Sequence, residues 1–127
     1  MNRFLLVCLG GAAGTGARYL VGGWVAQAFG SAFPWGTLGI NALGSFLISV
    51  IMHLGLVAGV VAPELRVVLT VGVMGGFTTY SSFNYETLSY LQRGAWMLGL
   101  LYVGATVFGC FAAGVLGLVA GRALAGG

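Results

Sequence analysis

Val73-Met74-Gly75-Gly76-Phe77-Thr78-Thr79-Tyr80-Ser81-Ser82-Phe83-Asn84-Tyr85-Glu86 is the stretch on which the fold turns. A glycine pair stands before five consecutive hydroxyl residues, Thr78 to Ser82. In water this would be an ordinary polar loop, but the surrounding chain excludes that setting. Of 127 residues, 59% are hydrophobic and only 6% charged, against roughly 25% charged in a soluble domain. The run therefore falls in the middle of a membrane span. Gly75-Gly76 reads as a breaker and Thr78 or Thr79 as the N-cap of a restarted half-helix. The expected element is a discontinuous helix, whose freed carbonyls and N–H groups need protein, water or an ion as partners.

Working outward, at ~20 apolar residues per crossing, the punctuation divides the chain into a single domain of four spans. They cover residues 4–29, 35–61, 65–91 with a break near 75–79, and 95–121. The connections are short: Gly30 to Pro34, Ala62-Pro63-Glu64 and Gln92-Arg93-Gly94. Both prolines stand at or just before a helix start, where a missing N–H is harmless, and Glu64 falls where the helix dipole favours a carboxylate. Trp24, Trp35 and Trp96 lie near span ends, as interfacial anchors do.

The charged residues are Arg3, Arg18, Arg66, Arg93 and Arg122 against Glu64 and Glu86, a net charge of +3. That is too thin for a nucleic-acid surface. Arg3, Arg66 and Arg122 fall on one side of the membrane and Arg93, with Arg18 if it snorkels, on the other. So slight a bias lets the chain insert both ways round, and opposite copies can then pair about an axis in the membrane plane. Cys8, Cys110 and the single His53 form no zinc cluster or nucleophile pair, and no acid–base pair suggests an enzyme.

Polar side chains in hydrocarbon must face another helix or a wet cavity. The second span carries Thr37, Asn41, Ser45, Ser49 and His53 at steps of four, one slowly winding stripe. The fourth offers Tyr102, Thr106, Cys110 and Gly114 on one row, with Ala105, Gly109, Ala113, Gly117 and Gly121 beside it. One row supplies hydroxyls and the other permits close backbone approach. Gly10 and Gly14 form a GxxxG that continues to Arg18, a pattern whose default reading is packing.

Three motifs in order, Gly14-Thr15-Gly16-Ala17-Arg18-Tyr19, Pro34-Trp35-Gly36-Thr37-Leu38-Gly39-Ile40-Asn41 and Gly75 to Phe83, resemble the Fluc/CrcB family of fluoride channels across essentially the whole chain. The resemblance implies an all-α membrane protein forming an antiparallel, dual-topology homodimer with two narrow pores for passive fluoride export. It implies residence in a prokaryotic plasma membrane, the inner membrane in a Gram-negative cell. Carried onto this sequence, Phe83 and Tyr80 would offer ring edges to fluoride and Asn41 an amide N–H. Ser81, Ser82 and Tyr102 would belong to a polar track, and Arg18 and Glu86 would lie towards the vestibules. The backbone carbonyls of Gly75 and Thr78, from both subunits, would hold a central structural sodium ion. The chain departs from the family with Tyr80 for the usual Phe, Ser82 for Thr, and Cys110 at a position open to serine. The residues agree with that reading: amides, hydroxyls and aromatic edges can replace the water shell of a small hard anion with almost no fixed charge. The rivals are a small proton-coupled multidrug efflux transporter, for which Glu86 would be the only embedded acid, and a structural membrane subunit, which leaves the stripes and the break unexplained.

Overall fold

Asn2 opens the first helix, Arg3–Phe29, by accepting the Phe4 amide on its side chain at 2.8 Å. The helix stops at Gly30, whose φ of 80° suits only glycine. This is a computed structural model and it describes Met1–Gly127. Pro34 precedes the second helix, Trp35–Val57, which widens to π pitch over its last turn, His53–Val57. Gly59 then turns at φ 68°, and the amides of Val60 and Val61 fold back onto the Leu54 carbonyl. Residues 58–61, expected within the span, therefore leave the helix.

The third element starts with Pro63 at its first turn and Glu64 beside it, and runs as helix over 63–77, at π pitch from Val68 to Met74. Thr78 and Thr79 are extended, with ψ of 157° and 115°, and helix resumes over Tyr80–Gln92. The last helix is Trp96–Leu124. The break is real but sits later than the glycine pair, which is itself helical. Three helices, the first, second and last, are long and apolar enough to cross a bilayer. The broken element lies among them as two shorter halves.

Glycine explains how closely these helices approach. A Cβ at Gly14 would collide with the Val73 carbonyl, and one at Gly76 with the Gly11 carbonyl. The first helix thus lies backbone to backbone on the first half of the third, and Gly10 and Gly14 are buried there. The second helix packs most extensively on the last. A Cβ at Gly117 would meet the Phe46 carbonyl, and one at Gly121 would lie 3.0 Å from the His53 side chain. Gly109, in the same row, faces open space. Two small cores flank the break: Ile40, Met74 and Phe77 on one side, Phe83, Tyr90 and Tyr102 on the other. Only 14 of 127 residues are buried, and Leu, Val, Phe and Trp side chains cover the outside. Such a surface is stable only against lipid or another copy of the chain.

Candidate functional site

The break is held open by one side chain. Asn41 accepts the Thr79 amide on Oδ1 at 2.8 Å and donates Nδ2 to the Thr79 carbonyl at 2.9 Å. Both backbone groups of Thr79 are thereby withdrawn from the helix ladder. An amide carries two N–H donors, so one Asn41 N–H remains for another partner. The Thr79 hydroxyl caps the second half, accepting the Ser82 amide at 3.2 Å and donating to Ser82 Oγ at 3.0 Å. Its position four residues after Gly75 is the reason the carbonyls above it are freed. The Gly75 carbonyl loses its helical donor because the Thr79 amide is taken by Asn41, and the Ser82 amide, which could have closed on Thr78, is taken by Thr79 Oγ1.

At the end of the first half, Arg18 donates Nε to the Gly76 carbonyl at 2.9 Å, with Thr15 Oγ1 at 3.5 Å from the same oxygen. A guanidinium at a helix C-terminus is favourably placed against the dipole. Beyond the break, Glu86 is satisfied on both oxygens: Thr37 donates to Oε2 at 3.0 Å and Tyr102 to Oε1 at 3.1 Å. Tyr102 is wholly buried, with the Phe83 ring edge-on at 5.1 Å and Phe33 at 5.4 Å. Phe83 in turn meets Tyr80 edge-on at 5.6 Å, and Tyr80 is 77% exposed. The aromatic sequence Tyr80, Phe83, Tyr102 therefore leads from the open face of the chain to the Glu86 carboxylate.

Two cavities meet at this point. A vestibule of about 780 Å³ is lined by Arg18, Thr37, Thr79, Ser82, Glu86 and Arg93, among others. A groove of about 460 Å³ opens on the other side of the break, bounded by Asn41, Ser45, Gly75, Thr78, Tyr80, Phe83, Thr106 and Cys110. No charged side chain lines the groove. Of the residues singled out in the sequence, Asn41, Tyr80, Phe83, Gly75 and Thr78 come together in the groove, and Arg18, Ser82 and Glu86 in the vestibule. Ser81 is exposed and borders neither, and Tyr102 lies beneath Phe83.

Sequence reasoning missed Thr79 as the partner of Asn41 and the Arg18 contact to Gly76, both of which depend on long-range pairing. It put Thr106 on the hydroxyl row of the last span but not among the site residues, and its buried hydroxyl has no hydrogen-bond partner and borders the groove. The signal for Thr106 was present: it lies one helical turn from both Tyr102 and Cys110 on the four-step row. A buried hydroxyl left without a partner costs on the order of 1–3 kcal/mol, so it marks a place where a polar guest is favoured.

Comparison with known proteins adds to this geometry. A family model described as CrcB-like protein, Camphor Resistance (CrcB), matches residues 5–118. The fluoride-specific ion channel FluC of Anaeromyxobacter dehalogenans is 54% identical over 126 residues, covering 99% of this chain and 100% of that protein. The protein of the same description from Sorangium cellulosum is 47% identical over 127 residues, with 100% of each chain covered. One from Thermus thermophilus is 48% identical over 126 residues, covering 99% of this chain and 98% of its own.

Proposed function

The chain belongs to the CrcB family of fluoride-specific ion channels, and on that premise we propose that it exports cytoplasmic fluoride passively through two pores of an antiparallel, dual-topology homodimer. It is a multi-pass membrane protein and not an enzyme, seated in the plasma membrane of a bacterium.

The observation that carries the route is the chemistry of the groove. It presents an amide, several hydroxyls and aromatic edges around one unpartnered buried hydroxyl, with no fixed charge. Fluoride gives up its water only where donors replace the shell, and it leaves again only where no full cation traps it. Asn41 keeps one N–H for the ion while its other groups hold the break. Tyr80 and Phe83 offer ring edges, the positive rim of the aromatic quadrupole. Thr106 lends its free hydroxyl, and Ser82 and Tyr102 continue the polar track towards the vestibule. Arg18 and Arg93 at the vestibule raise the local anion concentration, while Glu86, tied to two hydroxyls, is kept from repelling the ion freely.

The freed carbonyls of Gly75 and Thr78 suit a hard monovalent cation, since they are oxygen donors released from the helix ladder on an exposed face. In the dimer, the same carbonyls of two protomers would hold a structural sodium ion, whose charge offsets carbonyl repulsion at the centre. This chain's own part is to keep those oxygens free, through Asn41 and Thr79.

The test is efflux from liposomes loaded with fluoride, followed with a fluoride electrode beside chloride-loaded and protein-free vesicles. Rapid fluoride loss without chloride loss is expected. Equal loss of both, or none from dimeric protein, would contradict the proposal.

A further inference from the structure

Two cysteines are free, and they sit in different surroundings. Cys8 is exposed on the first helix and borders neither cavity. Cys110 is half-buried and lines the groove. Its thiol faces the Ser45 hydroxyl, which donates to the Asn41 carbonyl at 2.7 Å. One turn before it stands Thr106, only 8% exposed, with an unpartnered hydroxyl bordering the same groove. The thiol therefore adjoins a polar chamber that wants a guest, and it connects through Ser45 to the residue that holds the break.

We infer that Cys110 is a binding site for soft, thiophilic metal cations such as Hg2+, and that an occupied site shuts the ion path. The inference rests on the channel reading of the groove. A soft cation selects sulfur over the hydroxyls and carbonyls around it. From HgCl2, the S–H bond and one Hg–Cl bond break, an S–Hg bond forms, and the proton and a chloride leave to water, with no change of oxidation state. The S–Hg–Cl group so formed is neutral but bulky, and it stands beside Thr106 and Ser45 in the groove. The added volume narrows a passage built for a single small anion.

The experiment uses the full-length protein in fluoride-loaded liposomes treated with HgCl2, each variant compared with its own untreated rate. Efflux is expected to fall by about tenfold or more in the native protein and in Cys8→Ala, and to recover when dithiothreitol strips the metal. Cys110→Ser and Cys110→Ala are expected to lose the sensitivity, with dimer content checked by size-exclusion chromatography. Peptide mass spectrometry on the native protein reports mercuration at Cys110 whether or not those variants fold. Undiminished efflux from protein mercurated at Cys110, or sensitivity that follows Cys8, would overturn the inference and leave the channel intact. Failure of the thiol to take up Hg2+ would overturn it as well. Absence of fluoride efflux before any treatment would overturn the channel reading, and this inference with it.

Discussion

Replacing Asn41 by Leu removes a pair of hydrogen bonds while keeping the branching of the side chain. The native amide engages the Thr79 N–H at 2.8 Å and its carbonyl at 2.9 Å. Interhelical hydrogen bonds in membranes average about 0.6 kcal/mol and reach about 1.7, so the two together should stabilise the fold by about 1–3 kcal/mol. Conduction should suffer more, because the ion loses a donor and the break loses its staple. A hydrogen bond to a charged group is worth about 1.5–3 kcal/mol, which at 1.4 kcal/mol per decade predicts a slowing of one to two orders of magnitude. Asn41→Asp separates the two roles. It retains an acceptor for the Thr79 amide but turns a carboxylate oxygen towards the Thr79 carbonyl and towards the incoming anion. Asp should therefore conduct no better than Leu. The assay pairs fluoride efflux from liposomes with denaturant unfolding in detergent. A Leu variant with native stability and native efflux would refute the reasoning at both points.

Gly14→Ala should cost about 1–3 kcal/mol by overpacking, since its Cβ would collide with the Val73 carbonyl, while Gly16→Ala, inside the same helix with no atom within 4 Å, should be neutral or stabilising by up to about 1 kcal/mol; unfolding of the two variants side by side is the check. Arg18→Gln removes a charged donor from the Gly76 carbonyl and should destabilise the first half of the broken helix by about 0.3–2 kcal/mol. Faster amide exchange at residues 72–77 would report it, and unchanged exchange would contradict it. Phe83→Ile keeps bulk but deletes the ring that lies 5.1 Å from Tyr102 and 5.6 Å from Tyr80, so fluoride efflux should fall sharply; undiminished efflux would mean that the ring only packs.

The membrane class, the order of the helices and the existence of a break could be read from periodicity and composition. The restart was legible too, since Thr79 is the N-cap where Thr78 or Thr79 is expected, but the end of the first half was not. Gly75 and Gly76 have poor helix propensity, roughly 1 kcal/mol below alanine each, and on local grounds they should end the helix. The fold uses them otherwise: Gly76 lets the Gly11 backbone come close, and helix continues through Phe77. What ends it is Asn41, 38 residues away, competing successfully for the Thr79 amide and carbonyl. No local pattern encodes that competition. The stripe from Thr37 to His53 was legible as one face, and its members do meet the break, the last helix and Glu86. Its distribution was not legible, because Thr37 reaches Glu86 while Ser49 and His53 serve glycine-lined packing. Likewise Ser81 and Ser82 are neighbours in sequence, yet only Ser82 turns towards the vestibule, since helical rotation carries the other outward.

The most direct measurement is the reversal potential of current through purified protein in a planar bilayer, with fluoride on one side, chloride on the other and a proton gradient imposed independently. The account predicts a potential set by the fluoride gradient alone, with Asn41→Leu cutting the current by about one to two orders of magnitude. A potential that follows the proton gradient, or that chloride sets as readily as fluoride, would contradict a fluoride path through the uncharged groove at the broken helix.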